Sequence, residues 1–260
     1  GYDSADLAQA RFIFDRLTSV GVDFFITDNT NGLGADFGNT FDATKRMALL
    51  AAAYNAEPGR PRPIRYALSV GVNPLGPATE PAVLPKMEAQ LADVWQNFLN
   101  VSTNTQGYTG NPAALAAAAY RHPASGKPLV VLYVEPIFEG LFTAYIRDHP
   151  ELTPYSSRFH LGFSDGNNWR GGLYGWMIDR TCGPPNTPAS PCGSVADVGL
   201  RNSSDVMYLS PAYAKTLPTG ETVYGARSIE WYRSQFPVAA NVCPAQLIVG
   251  AANDYTEMNA

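Results

Sequence analysis

Cysteine is scarce in this chain, with three in 260 residues, and so is histidine, also three. No histidine lies near a cysteine, so the mixed His/Cys spacing of a zinc site is missing. Lys and Arg number 18 against 23 Asp and Glu, a net charge of -5, and the basic residues form no cluster. That argues against a nucleic-acid partner, because phosphate binding needs a concentrated basic patch. No apolar stretch reaches the ~20 residues that span a bilayer, and the Ala-rich run Pro112 to Tyr120 is too short and too weakly apolar, so no membrane partner is expected. Glycine-rich phosphate loops are absent as well. The pentad Gly162-Phe-Ser-Asp-Gly166 has the G-x-S-x-G form, but no histidine is placed to serve Ser164. Neither a metal nor a cofactor is expected.

What remains is a chain with 45% hydrophobic residues and no long Gly/Ser or charged linker, which reads as one domain over residues 1–260. Two of its cysteines stand close together in a Pro- and Gly-rich segment, Thr181 to Gly193. A Cys182–Cys192 disulfide would fasten that loop and stabilise it by about 2–3 kcal/mol in the chain-entropy view. Free thiols are the alternative. The bridge would leave Cys243 unpaired and fits an oxidising, secreted setting. Asn100-Val-Ser102 and Asn202-Ser-Ser204 fit the glycosylation acceptor pattern, a triplet that chance also produces often. With no signal peptide in the sequence, the secreted reading expects a mature or trimmed form.

Strand-like and helix-like segments alternate along the chain. Leu7, Ala10, Phe14 and Leu17 recur at helical spacing behind Asp3 or Ser4, and Gly21 supplies a stop. Val22–Thr27 reads as a strand, Thr40–Asn55 as a helix with Phe41, Met47, Leu50 and Tyr54 on one stripe, and Ile64–Val70 as a strand. A long helix from about Pro81 to Leu99 carries Leu84, Met87, Leu91, Trp95 and Phe98 as a core stripe. Ala113–Tyr120 reads as a short helix, Pro128–Val134 as a buried strand, and a further helix runs toward His149. Strands are then expected at Phe159–Ser164, Leu173–Ile178 and Asp205–Ser210, a helix near Thr222–Ser234, and a last strand over Leu247–Ala251. Near-continuous apolar strands separated by helices imply a parallel sheet, and the length matches a single (β/α)8 barrel of the TIM type. The count is seven strands. The barrel is therefore expected to lack its first strand, or to be open there.

The polar residues gather where strands end, which is how α/β proteins build sites. Asp28 follows the first strand and Asn73 the second, although both also suit ordinary turns. Glu135 follows the most apolar strand; it is placed either as a proton donor or as an acid in the first turn of the next helix. Asp165 and Trp169 follow the next strand, and Asp179 the one after. Aromatic faces stack on the C–H faces of sugars while carboxylates and carboxamides take the hydroxyls, so this mixture suits a carbohydrate partner. At the last strand stand Asn253, Asp254, Tyr255 and Glu257, residues that would also start a turn and cap a helix.

The segment Asn253-Asp-Tyr-Thr-Glu257 after an apolar strand resembles the Asn-Glu-Trp-x-Glu segment that ends the barrel of glycoside hydrolase family 99 and its family 99-like relatives. The opening Gly1-Tyr-Asp-Ser-Ala-Asp6 and the middle segment Gly126-Lys-Pro-Leu-Val-Val131 are similar to the same group. The resemblance implies a barrel whose first strand precedes the Tyr-Asp-Ser segment. It also implies endo-acting, retaining cleavage of a polysaccharide or glycan in which the sugar's own 2-hydroxyl is the internal nucleophile. By position, Asp254 would assist that hydroxyl and Glu257 would be the proton donor. Asp is a methylene shorter than Glu, and Tyr255 stands where the family has Trp. A second version pairs Glu135 with Glu257 or Asp254 across the barrel mouth as an ordinary carboxylate pair. A different class keeps the barrel and drops the chemistry: a domain that binds glycans without cleaving them, or one attached to glycosyltransferase machinery.

Overall fold

The computed structural model describes residues 7–29, 38–60, 62–72, 75–76, 80–100, 111–134 and 136–164, and beyond them 206–209, 214–216, 222–224, 233, 236–237, 239–241 and 243–249. The chain forms two compact units, Gly1–Gly162 and Phe163–Ala260. The strand His160–Ser164 crosses the boundary between them.

In the first unit helices alternate with parallel strands: α1 (Leu7–Ser19), β1 (Phe24–Thr27), α2 (Gly38–Ala56), β2 (Arg65–Gly71), α3 (Val83–Val94), α4 (Pro112–Ala117), β3 (Leu129–Tyr133), α5 (Pro136–Asp148) and β4 (His160–Ser164). The sheet order is β1-β2-β3-β4. Register runs Phe24 opposite Arg65 in the first pair and Leu68 opposite Val130 in the second, both parallel. This is the α/β arrangement with a parallel sheet that the alternation predicts.

Helix α1 forms for the reasons its spacing gives. Ala10 and Phe14 are buried and, with Ala51, Tyr54 and Ile64, make a core against which Ile13, Leu17, Val22, Phe25, Met47 and Leu50 pack. Phe14 stacks on Phe25 and meets Tyr54 edge-on, with centroids 5.7 and 5.5 Å apart. Burying a side chain of this size stabilises by about 2–3 kcal/mol. The helix stops where Gly21 adopts φ +89°, a conformation that costs glycine no Cβ clash.

Helix α2 differs from its expected stripe. Tyr54 is buried as that stripe expects, but Met47 and Leu50 are only partly buried, and the other buried positions include Thr44, Lys45, Ala48, Ala51 and Ala52. The stripe was read from the large side chains, whereas alanine, with its small bulk, lets a helix approach its neighbours closely; α2 packs against α1, α4 and β2. Helix α3 carries its stripe as expected at Met87, Leu91 and Phe98, which are fully buried, and it ends in a wide π turn, Trp95–Leu99, where the Asn100 N–H reaches the Trp95 carbonyl at 2.7 Å. Trp95 stays partly exposed, with the Arg158 guanidinium over its ring at 4.7 Å and Phe159 against its edge.

The second unit contains β5 (Val206–Leu209) paired in parallel with β8 (Gln246–Val249), and a hairpin of β6 (Ala214–Thr216) and β7 (Thr222–Tyr224). The hairpin corrects two expectations. Thr222–Tyr224 is a strand and not the start of a helix, and its pairing with β6 is antiparallel. The residues explain it: Thr-Val-Tyr favours an extended backbone. The expected strand Leu173–Ile178 lies outside the described residues.

Candidate functional site

Parallel strands all release the chain at one edge of their sheet, and in α/β folds ligands bind outside those carboxyl ends. Of the residues expected there, Asp28 is described: it directly follows β1 and is exposed. Asn73, Glu135 and Asp165 lie outside the described residues, but in sequence they come just after β2, β3 and β4. Helix α5 begins at Pro136, so in sequence Glu135 comes directly before the helix, and the acid of its first turn is Glu139. Trp169, Asp179, Asn253, Asp254, Tyr255 and Glu257 lie outside the described residues too, the last four beyond the end of β8. The structure therefore brings the ends of β1 to β4 to one edge.

Beneath Asp28 lies a polar network that sequence reasoning missed. Asn29 has no exposed surface. Its amide nitrogen donates to Thr27 Oγ1 at 3.0 Å and its carbonyl accepts from Thr44 Oγ1 at 2.6 Å, while its backbone N–H reaches Ser69 Oγ at 3.4 Å. Ser69 Oγ in turn donates to the Thr27 carbonyl at 2.8 Å. β1, β2 and α2 are thus tied together by side chains that would each be costly to bury unpaired. Both side-chain polar atoms of Asn29 and its backbone N–H have partners, so the network fixes the backbone on which Asp28 stands. The sequence marked Asp28 at the end of β1 but not its neighbour Asn29, the one of the two that faces inward.

Helix α3 holds the loop leaving β2. Lys86 donates to the Leu75 carbonyl at 2.8 Å and Gln90, one turn further on, donates through Nε2 to the Gly71 carbonyl at 3.2 Å. Glu88 points the other way round the helix and is nearly buried. Its Oε1 accepts the Tyr155 and Ser156 backbone N–H groups at 2.6 and 3.3 Å, and its Oε2 accepts Ser156 N–H at 3.2 Å and the Ser156 hydroxyl. These donors belong to the start of the short 3-10 turn Ser156–Arg158 that leads into β4, so the carboxylate serves as that turn's cap from a distant helix.

Lys45 is the most deeply buried cation among the described residues, with 1% of its surface exposed. Its ammonium donates to the Asn97 carbonyl, in the last turn before the helix ends, and lies 4.9 Å from the Phe98 ring centre. Helix ends leave carbonyls without partners and favour positive charge, so the contact satisfies an orphan acceptor. Burial nevertheless pushes the Lys45 pKa down from 10.5 to about 8. Burial therefore disfavours the protonated form in the folded state, a cost that is complete below pH ~8, declines as pH rises, and is gone above ~10.5. Lys45→Met removes that cost but strands the Asn97 carbonyl, so at pH 7 it is expected to stabilise by about 1–2 kcal/mol. The gap between variant and parent in urea unfolding should shrink between pH 8 and pH 10. A gap independent of pH would contradict this.

Elsewhere in the first unit ionic contacts lie at the surface. Arg60 joins Glu57 and Asp15 and covers the Tyr54 ring at 4.3 Å, which holds the Glu57 carboxyl below its usual range. Tyr66 is buried with its hydroxyl donating toward the Leu115 and Phe98 carbonyls, and desolvation pushes its pKa up, so it stays a neutral donor. Among the described residues no group of three or more His, Cys, Asp or Glu is placed to hold a metal ion. No described helix is long and apolar enough to cross a membrane. In comparisons with protein-family models and with curated proteins, the chain matches none.

Proposed function

We propose that the protein is a secreted glycoside hydrolase, acting within polysaccharide or glycan chains with retention, on a (β/α)8 barrel of which β1 to β4 form one side. The observation that carries this reading is the carboxyl edge of the parallel sheet: each of four successive strands is followed in sequence by an acid or a carboxamide, namely Asp28, Asn73, Glu135 and Asp165. Such groups take sugar hydroxyls and polarise glycosidic oxygens. Glu257 is the proton donor and Asp254 assists the 2-hydroxyl. Asn253, Tyr255, Trp169 and Asp179 complete the sugar-binding surface. The test is release of reducing ends from a panel of plant, fungal and bacterial polysaccharides.

The departures Asp254 and Tyr255 from the family 99 segment favour a second reading, a barrel that binds glycans without cleaving them. Binding without release on the same panel separates the two.

Secretion carries its own expected result. Cys243 is an exposed free thiol, and Cys182 and Cys192, which lie outside the described residues, are taken as bridged. Thiol counting on the unfolded, unreduced protein should find one reactive group per chain. Three would remove both the bridge and the oxidising setting.

A further inference from the structure

Gln90 places an unused acceptor at the carboxyl end of β2. Its residue is 8% exposed, and its Nε2 is committed to the Gly71 carbonyl at 3.2 Å. That bond settles which end of the amide is which, because a carbonyl can only accept and must therefore face the NH2 group. Oε1 is thereby turned away from Gly71. It is buried, and among the described residues no donor meets it. The contrast with Asn29, at the end of the neighbouring strand, is informative: both oxygen and nitrogen of that carboxamide are matched by protein hydroxyls. A buried acceptor without a donor is costly and uncommon in folded proteins, so the position calls for a donor other than the described residues.

The surroundings say what kind of donor. Gly71 is the last residue of β2, and the loop after it is held by Lys86 on the Leu75 carbonyl, one helical turn along α3 from Gln90. Gln90 itself sits in the apolar row of α3 between Met87, Leu91 and Val94, all fully buried. A cation would find no carboxylate in that row to balance it, whereas a neutral O–H needs one acceptor only. We propose that Gln90 Oε1 accepts a hydrogen bond from a neutral hydroxyl held at the carboxyl edge of the sheet, either a bound water or a hydroxyl of the ligand. The ligand arm rests on the glycan reading above; the water arm does not.

The wild-type protein tests this without any variant. Crystals grown free of polyols should show, at high resolution, an ordered oxygen atom about 2.7–3.0 Å from Oε1. Crystals soaked separately in cellohexaose, xylohexaose and mannohexaose distinguish the sources: replacement of that oxygen by a sugar hydroxyl assigns the ligand, and its persistence assigns water. If no hexasaccharide binds anywhere, the glycan reading is damaged while the oxygen in the polyol-free crystal still decides the role of Gln90. Density in which Oε1 meets a protein N–H or O–H, or only carbon atoms, overturns the proposal.

Discussion

Replacing Glu257 by Gln is expected to lower glycan cleavage by roughly 10²-fold or more while leaving glycan binding intact, because the amide keeps shape and hydrogen bonding but has no proton to transfer. The argument starts from spacing. Residues three apart point to opposite sides of an extended strand but to neighbouring positions on a helical turn, so Asp254 and Glu257 act together only if the strand has ended before them. Strand β8 ends at Val249, four residues before Asn253 in the chain. Two carboxylates sharing a site repel when both are ionised, which raises the proton affinity of the more buried one and divides the pair into acid and base. Glu257 has the longer reach, so the acid role is proposed for it. Parent-like cleavage by the Gln variant on a confirmed substrate would pass the role to Glu135, whose own Gln variant is the next to measure.

The largest stability effect is expected at Glu88. Its carboxylate receives two backbone N–H groups and one hydroxyl at the start of the 3-10 turn before β4. Glu88→Ala leaves those donors facing a void in a buried place, and hydrogen bonds to a charged acceptor are worth more than neutral ones. A loss of about 3 kcal/mol or more is expected, read as a lower urea midpoint with an unchanged slope. Glu88→Gln, which keeps one acceptor oxygen, should lose about half as much. An alanine variant within about 0.5 kcal/mol of the parent would show that Glu88 is not the cap.

Where sequence and structure agree, local pattern was enough. Ala10, Phe14 and Leu17 marked the packed face of α1, Gly21 marked its end, and the apolar run ahead of Glu135 marked β3, because each depends on neighbours in the chain. The strand ends that carry Asp28, Asn73 and Glu135 were legible for the same reason. The hairpin of β6 and β7 was not, since strands of three residues are too short for a period to emerge: Thr222–Tyr224 reads as the start of a helix and Ala214–Thr216 carries no pattern of its own. Lys45, Glu88 and Gln90 were missed on different grounds. A charged or polar residue on an amphipathic helix reads as solvent-facing, and only tertiary placement supplies the Asn97 carbonyl, the Ser156 turn and the Gly71 carbonyl that make burial tolerable. The buried face of α2 was displaced toward its alanines because close approach is a property of two elements together.

The central claim, that the polar edge of this parallel sheet acts on glycans, is tested most directly by following reducing-end release and product anomeric configuration by NMR on the polysaccharide panel, with wild type and Glu257→Gln side by side. The account predicts release by the wild type with the anomeric configuration retained, and its loss by roughly 10²-fold or more in the variant. No release from any polysaccharide, with no glycan bound by either protein, would contradict it.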